Sequence, residues 1–365
     1  MTRALAHIDL VALRHNLARV RACAPHSRVM AAVKANAYGH GAVPVARALV
    51  AAGTEALAVA CVEEALELRA AGVQVPIVLL EGVLSAAEAQ IAVDEKLQIA
   101  VHSPWQMELL QGACASAPLA LWGLLNTGMN RLGFAPTEAG ALAAAIAQHP
   151  AWRLHGWLTH LACADDTGAA ETLRQQARFD AALEGLAGER SIANSAGLMA
   201  WPSTCADWVR PGLMLYGASP VAGQTAAALD LRPVMQFESR LIAVNAVGSG
   251  ARVGYGATWS APALTYIGIV AAGYADGVPR ALPSGTPVAI GSRIVPTAGR
   301  VSMDMLAVDL GPDAREQVGD TVRLWGDGVP AEAMAARVGT IAYELFCGLG
   351  PRVRRIFHGG VGDGA

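Results

Sequence analysis

The stretch of sequence that decides the fold is Arg28-Val29-Met30-Ala31-Ala32-Val33, followed at once by Lys34 and then by Ala35-Asn36-Ala37-Tyr38-Gly39-His40-Gly41. The first six residues form a short, mostly apolar run, which is typical of a buried strand. The seven residues after the lysine include an asparagine and two glycines, which favour a turn. The pattern predicts a buried strand that ends on an ammonium group.

Lys34 is unusual because the chain has 27 basic side chains, and only Lys34 and Lys96 among them are lysines. Lys96 lies in the charged segment 94–96, which is typical of a solvated helix end. An ammonium at the buried end of a strand is costly unless it is paired or loses its proton. Lysine can lose that proton where arginine cannot, and a neutral amine can form a Schiff base with an aldehyde. The structural alternative is a lysine whose side chain extends from the strand end to solvent. The scarcity of lysine and the turn that follows favour a catalytic role instead.

Seven more apolar runs follow the first and alternate with helical patterns, which indicates parallel strands joined by helices. The eight runs lie near 29–33, 56–60, 77–80, 98–101, 119–125, 154–161, 191–194 and 209–216. Helix starts support this count, because Ser85 stands three residues before Glu88 as in a capping box, and Ser103 precedes a proline. Eight such units predict a closed (β/α)8 TIM-like barrel. A doubly wound open sheet is the alternative, but no Gly-x-Gly-x-x-Gly follows the first strand.

Beyond about residue 228 the helical patterns fade, and strands bounded by Gly and Pro follow one another. We expect these strands near 236–247, 265–271, 287–290, 305–309 and 321–324. The fold class is therefore α/β, with a barrel domain over 1–228 and a mostly β C-terminal domain over 229–365.

Composition excludes several classes of protein. The net charge is -3 and the only basic cluster is Arg352, Arg354 and Arg355, so we expect no nucleic-acid partner. No apolar stretch approaches the roughly 20 residues of a membrane helix, and the first residues lack the apolar core of a signal peptide. The six cysteines show neither metal-ligand nor disulfide-framework spacing, and no other cluster predicts a metal site: Cys23, Cys61, Cys114, Cys163, Cys205 and Cys347. We expect a cytoplasmic protein without a metal.

Polar residues fall where the predicted barrel strands end, which is the catalytic face of such barrels. Lys34 and Tyr38 follow the first strand, Asn126 and Arg131 the fifth, His160 the sixth, and Asn194 and Ser195 the seventh, while Arg210 and Gly212 lie in the eighth segment. Alone, each would more often be structural, with His160 a satisfied core histidine and Arg210 a salt-bridge partner. Together they suit a phosphorylated aldehyde cofactor: Ser195, Tyr38 and the Gly212 amide can hold a phosphate, and Arg210 adds a fixed charge.

These residues stand in strings that resemble the alanine racemase family, the pyridoxal-phosphate enzymes of the barrel type, over nearly the whole chain. The segment 32–41 resembles the family's cofactor-lysine string, which is highly specific. Further similar strings, in the family's order, are Thr127-Gly128-Met129-Asn130-Arg131-Leu132-Gly133, Thr159-His160, Ala193-Asn194-Ser195-Ala196, Val209-Arg210-Pro211-Gly212, Gly254-Tyr255-Gly256-Ala257-Thr258, Gly273-Tyr274-Ala275-Asp276-Gly277, Arg300-Val301-Ser302-Met303-Asp304 and Thr340-Ile341-Ala342-Tyr343-Glu344. The shorter strings are weak singly, but their shared order is specific.

The resemblance implies a head-to-tail homodimer that interconverts L- and D-alanine with pyridoxal phosphate. Lys34 would bind the cofactor and act as the base on one face of the substrate, and Tyr255 from the other subunit would act on the opposite face. A tyrosine ionises near pH 10 and a nearby cation lowers that by about 1–3 units, a role the resemblance gives to Arg210 acting through His160, with Arg131 nearby. Arg210 would also face the pyridine nitrogen and keep it unprotonated.

The resemblance assigns the remaining contacts residue by residue. The Met303 amide would meet the substrate carboxylate, and Tyr343 would contact the phosphate and narrow the entrance with Tyr255. The entry corridor would be lined by Asp165, Tyr274, Arg280, Arg300 and Ile341. Since the two tyrosines leave room for little more than a methyl group, we expect alanine as the best substrate and serine as a weaker one. The sequence leaves open whether D-alanine is made for the cell wall or degraded.

The chain departs from the family pattern before Arg131. Many members carry a carbamylated lysine where this chain has Leu124 and an aspartate where it has Asn126. Neither acid is available to pair with Arg131, so Asn126 and Arg131 could together hold a chloride ion, as some broad-spectrum relatives do.

Three alternative functions fit the sequence less well. A pyridoxal-phosphate-handling barrel protein without catalysis would lack Tyr255 and the β domain. A decarboxylase of the related barrel type would carry an acidic and cysteine cluster that this chain lacks. A membrane-bound serine racemase would need spanning segments.

Overall fold

The computed structural model describes residues 3–113 and 118–360. They fall into two compact units. One, the barrel unit, holds residues 13–37 and 42–231; the other, the β-rich unit, holds residues up to Ala12, Tyr38–Gly41 and the chain from Arg232 onward.

Eight parallel strands close the barrel unit in the order β2 to β9. They are β2 (Arg28–Ala32), β3 (Ala56–Val59), β4 (Ile77–Leu79), β5 (Gln98–Val101), β6 (Leu119–Leu124), β7 (Trp152–Leu158), β8 (Glu189–Asn194) and β9 (Trp208–Arg210). The helices are Leu10–Cys23, Ala42–Ala51, Val62–Ala70, Ala86–Asp94, Pro104–Gln111, Ala139–Gln148, Glu171–Ala182 and Ser195–Ala200, with short 3-10 turns at Pro136–Glu138, Pro202–Thr204, Leu213–Tyr216 and Ala227–Leu229. The predicted barrel is confirmed.

Two local predictions need correction. The eighth run was expected to continue to residue 216, but β9 stops at Arg210 because Pro211 has no amide to donate to a ladder, and Leu213–Tyr216 forms a 3-10 turn. Ser85 accepts from the Glu88 amide at 3.2 Å, as a capping residue should. Ser103 makes no such bond, and Gln106 accepts from the His102 amide at 3.1 Å at this helix start.

Small and large side chains alternate in the barrel interior. Ala56, Ala58 and Ala100 leave space that Trp122 and Trp208 fill, together with Met30, Val78, Leu124 and Leu158. Interiors are packed at near-crystalline density, so this complementarity sets which positions tolerate a larger residue.

The β-rich unit is built on β10 (Met235–Val247), which pairs with β1 (Ala4–Asp9) and β17 (Thr321–Trp325) and, beyond a bulge, with β13 (Thr265–Val270). The other strands are β11 (Arg252–Val253), β12 (Trp259–Ser260), β14 (Pro287–Ile290), β15 (Arg293–Pro296), β16 (Leu306–Gly311) and β18 (Arg354–His358). Helices Ala331–Arg337 and Ala342–Cys347 and 3-10 turns Tyr255–Ala257 and Tyr274–Asp276 complete it. All five predicted strands are present, within one or two residues at most ends.

The N-terminal strand lies outside the barrel sheet, although the sequence assigned 1–228 to the barrel domain. β1 runs antiparallel to β10 and parallel to β18, with Leu5 opposite Arg354. Its buried positions Ala4, Ala6 and Ile8 alternate, so one face of the strand is buried.

Over residues 3–113 and 118–360, no helix is both long and apolar enough to cross a membrane. Within the same ranges no group of three or more His, Cys, Asp or Glu side chains is placed to hold a metal ion. The described cysteines are free thiols, and Cys114 lies outside the described residues.

A pair of glycine substitutions tests the interior packing. A Cβ at Gly156 in β7 would lie 2.3 Å from the Glu189 carbonyl oxygen and 2.5 Å from the Trp122 ring. Gly156→Ala should therefore lower the free energy of unfolding by about 1–3 kcal/mol. Gly140→Ala, in helix Ala139–Gln148 where a Cβ meets nothing within 4 Å, should raise it by about 0.5–1 kcal/mol. Thermal unfolding of both variants measures this, and a Gly156→Ala protein as stable as the parent would contradict the packing account.

Candidate active site

A left-handed turn follows Lys34. Ala35, Asn36, Ala37 and Tyr38 all have φ between 50° and 55°, a conformation that costs about 1–2 kcal/mol per residue for L-amino acids. The Glu64 carboxylate accepts from the Ala35 amide at 2.6 Å, and the Asn36 side chain accepts from the Ala42 amide at 2.7 Å. Strain of this kind persists only where surrounding bonds enforce it, and it concentrates at functional sites.

Arg210, the last residue of β9, is buried and is held by oxygens within β8 and just after β7. Its guanidinium donates to the Ser191 carbonyl at 2.8 Å and hydroxyl at 2.6 Å, and also to the Thr159 carbonyl. Among the described residues no carboxylate pairs with it, so the salt-bridge alternative fails. Burial lowers the pKa of Arg210 to about 10, which leaves it a cation at neutral pH.

His160 follows the end of β7 and is surrounded by cations. Burial of the ring, and then the charges of Arg210, Arg131 and Lys34, lower the pKa of His160 to about 3. The imidazole is therefore neutral across the physiological range and can accept one hydrogen bond while donating another. The structure brings together in one place four of the predicted site residues.

Ser195 and Gly212 also meet. The buried Ser195 hydroxyl accepts from the Gly212 amide at 2.8 Å and from the Met214 amide at 3.3 Å. The two amides fix the Ser195 hydroxyl oxygen, and the hydroxyl still carries a proton that it can donate to a phosphate oxygen. The Asn194 side chain accepts from the Gly197 amide at 2.9 Å and so caps the short helix Ser195–Ala200.

The turn that carries Arg131 is closed by amide side chains. The Asn126 side-chain oxygen accepts from the amides of Gly128 at 3.2 Å and Asn130 at 2.9 Å, and its nitrogen donates to the Asn130 side chain at 3.1 Å. Arg131 itself is exposed, and among the described residues no carboxylate lies within 4 Å of it. Leu124 packs in the apolar barrel cluster, so no acid substitutes for the family's carbamate.

The β-rich unit presents the other predicted residues on loops. Tyr255 sits at the tip of the β11–β12 hairpin with 70% of its side chain exposed. The Arg300 guanidinium packs against this tip, because a Cβ at Gly256 would lie 3.0 Å from it. The Tyr274 and Ala275 amides donate to the carbonyls of residues 302 and 303 at 3.1 and 3.0 Å, which joins the loops of Tyr274 and Met303.

Tyr38 and Tyr343 also lie in the β-rich unit, with ring centroids 5.5 Å apart. Burial, followed by the proximity of Tyr343 and Cys347, raises the pKa of the Tyr38 phenol, so it remains a hydrogen-bond donor. Arg280, Met303 and Ile341 are exposed in this unit, and Asp165 is exposed in the barrel unit.

Several residues around the site were missed by sequence reasoning. Glu64 holds the strained turn, and the buried side chains of Thr127, Thr159 and Gln175 bond to one another or to nearby loops. Gln175 shares the buried face of its helix with Thr172 and Phe179, so this position carried little sequence signal.

Comparison with known proteins gives a consistent result. Family models described as "Alanine racemase, N-terminal domain" and "Alanine racemase, C-terminal domain" match residues 8–220 and 234–357. The chain is 46% identical over 361 residues to alanine racemase of Vibrio cholerae, which covers 98% of this chain and 99% of that protein. It is 49% identical over 353 residues to alanine racemase of Thioalkalivibrio sulfidiphilus, covering 96% and 98%. The crystal structure of the biosynthetic alanine racemase from Pseudomonas aeruginosa superposes with a TM-score of 0.95 at 44% identity, covering 98% and 100%.

The low pKa of His160 predicts a loss of stability in acid. The unfolded chain takes up a proton on this ring near pH 6.5, whereas the folded chain refuses it down to about pH 3. The stability contributed by neutral His160 is therefore fully present above pH 6.5 and is lost as the pH falls towards 3. Imidazole ¹⁵N NMR should show a neutral ring at pH 4.5, and His160→Gln should flatten the decline in stability below pH 6.5. A His160 resonance that titrates near pH 6.5 would contradict the cation cluster.

Proposed function

The chain belongs to the alanine racemase family, and we propose that it interconverts L-alanine and D-alanine with pyridoxal phosphate by a two-base mechanism. One observation carries the proposal: Lys34, Arg131 and Arg210 lie close enough to His160 to depress its pKa, at the carboxyl end of a parallel barrel. The only amine there is Lys34, and the guanidiniums have no acid partner among the described residues. Such a site favours a ligand that carries a negative charge and an aldehyde group able to react with the Lys34 amine.

The residues of the barrel unit fit this cofactor. Ser195 and the Gly212 amide would hold the phosphate, Lys34 the aldehyde carbon and Arg210 the pyridine nitrogen. When bound, the cofactor supplies an electron sink that makes the substrate's α-proton acidic. Arg210, fixed by Ser191 and Thr159 and still charged at neutral pH, would donate to the ring nitrogen and so keep it unprotonated.

Two bases are needed because one group cannot readily take a proton from one face of a carbon and return it to the other. We assign one face to the Lys34 amine and the other to the phenol of the partner subunit's Tyr255, in a homodimer. A proton taken by one base is matched by a proton delivered by the other, so the substrate leaves as its enantiomer and the two groups have exchanged protonation states. A proton must then pass from the first group to the second, directly or through solvent, before the next turnover in the same direction. The exposure of Tyr255, unusual for a tyrosine, supports a role towards a second subunit.

The substrate carboxylate would be held by Arg131 and by the amide of the partner subunit's Met303. We propose alanine as the preferred substrate and serine as a weaker one, since a pocket shaped for a methyl group rejects an added hydroxyl only weakly.

The two-base assignment is tested by paired variants. Lys34→Arg should abolish both the borohydride-reducible cofactor link and racemisation, because a guanidinium cannot form the link. Tyr255→Phe should slow α-proton exchange from L-alanine in deuterated water far more than exchange from D-alanine, since Lys34 still serves the other face. A positioned base contributes roughly 10² to 10⁴ in rate, which sets the expected loss.

The chain offers matched controls. Lys96→Arg makes the same change at the only other lysine, and Tyr266→Phe makes the same change at a half-buried strand residue. Both should keep full activity. A reducible adduct with full activity in Lys34→Arg, or equal loss of exchange for the two enantiomers in Tyr255→Phe, would sink the assignment.

We also propose a chloride ion beside Arg131. Its guanidinium has no acidic partner among the described residues, and Asn126, which has given one N–H to Asn130, retains a second. A cation without an acidic partner and an amide N–H donor are the groups that bind a halide ion.

Halide dependence is measured by kinetics in chloride-free buffer with and without added chloride. We expect KM to rise when chloride is removed, because the guanidinium is then free to move, and bicarbonate to have no effect because Leu124 cannot be carbamylated. Asn126→Asp, which restores a negative charge, should abolish the halide effect. A KM that is constant across the chloride titration would reject the site.

A further inference from the structure

Gln175 is a completely buried amide on helix Glu171–Ala182. Its nitrogen donates to the Thr127 hydroxyl at 3.2 Å and to the His160 carbonyl at 2.9 Å, while its oxygen accepts from the Ala162 amide at 2.8 Å. All three bonds go to the loops that follow β6 and β7. A buried polar group with every bond satisfied fixes its neighbours strongly, since losing one partner leaves the others unpaired.

A second link joins the same two loops from the barrel side. The hydroxyls of Thr127 and Thr159 lie 2.7 Å apart, and Thr159 donates to the Leu125 carbonyl at 2.9 Å. Both threonines are buried. Direct hydrogen bonds therefore connect the helix to the strand ends, from Gln175 to Thr127 and from Thr127 to Thr159.

The same helix makes a further contact with the Arg131 turn through Arg178. Arg178 donates to the Thr127 carbonyl at 2.6 Å and to Glu171 at 2.6 Å. Gly128 fits under these side chains only because it has no Cβ, which would lie 2.8 Å from Glu171 and 3.1 Å from Gln175. Three residues of one helix thus hold the first half of the turn that ends at Arg131.

We infer that Gln175 is a positioning residue, which fixes the backbone of the Arg131 turn relative to His160 in place of an acid on the guanidinium. The inference rests on the proposed function for its catalytic meaning. Leu124 offers no charge that could hold the Arg131 guanidinium, so the backbone must determine where this arginine lies. Gln175 acts on that backbone, because it bonds from its helix to Thr127 in the same turn. The proposed chloride acts on the guanidinium, whereas this network acts on the main chain.

The next residue on the helix provides a matched control. Gln176 donates to the Ser203 carbonyl at 2.8 Å and accepts from the Ser203 hydroxyl at 2.9 Å, on the exposed side away from the turn. Gln176→Ala removes the same side chain and hydrogen bonds of the same kind. Thr127→Val, which keeps the side-chain shape, serves if Gln175→Ala fails to fold.

The experiment compares Gln175→Ala, Thr127→Val and Gln176→Ala in two assays. In the protein without cofactor, amide hydrogen exchange at Gly128 and Asn130 should speed up at least tenfold in the first two variants, and the His160 ring should titrate at higher pH as Arg131 moves away. In the cofactor-loaded protein, kcat/KM should fall by about 10–10²-fold, mainly through KM, as expected for a misplaced binding group. Gln176→Ala should change neither assay more than twofold.

The outcomes separate the two claims. If the wild-type protein does not racemise alanine, the proposed function is wrong. The amide hydrogen exchange and the His160 titration still decide in that case whether Gln175 holds the turn. Unchanged exchange and an unchanged His160 titration in folded Gln175→Ala or Thr127→Val overturn the inference even if racemisation is established. Faster exchange without any rise in KM also overturns it, because Gln175 would then be structural only.

Discussion

The chemistry of the barrel end depends on one buried guanidinium held by oxygen dipoles. Arg210, at the end of β9, is bonded to Ser191 within β8 and to the carbonyl of Thr159 just after β7, so a single side chain links three consecutive strands of the barrel. Burial is the main reason that the His160 ring stays neutral, and the charge of Arg210, which no described carboxylate neutralises, lowers the pKa of His160 further. A carboxylate beside Arg210 would have cancelled this field and made the site indifferent to anions.

A different solution applies at Arg131, which is exposed rather than buried. Water screens its charge, so the cation itself needs no acid, but an exposed side chain on a loose turn would not be directed anywhere. The closure of the turn by Asn126 and the hydrogen bonds from helix Glu171–Ala182 supply the order that a charged partner would otherwise supply. The two arginines that act on His160 are thus fixed by opposite means, Arg210 through its guanidinium and Arg131 through its backbone.

The sequence predicted the elements whose signal is local. Each barrel strand is a short apolar run between turn residues, and the polar residues at the strand ends follow from the parallel topology. Sequence reasoning missed β1 and β18, which are short and pair with strands far away along the chain, and it extended β9 past Pro211. It did not single out Gln175, and it quoted Thr127 and Thr159 without giving them a role, because the importance of all three lies in bonds between distant segments that no periodicity encodes. The roles assigned to the site residues stay predictions, since they concern a ligand and a second subunit.

The pairing of β1 with β18 has a consequence for how the protein is made. β1 hydrogen-bonds to β18 far along the chain, with Leu5 opposite Arg354, so at roughly 5–20 residues per second β1 waits tens of seconds of synthesis for that partner. Throughout that interval its apolar face and open edge are exposed while the barrel behind it can already close, since all eight barrel strands precede residue 211. A chain interrupted near its end would carry a finished barrel and a β1 strand paired with β10 on one edge but open on the other, and an open strand edge is a template for aggregation.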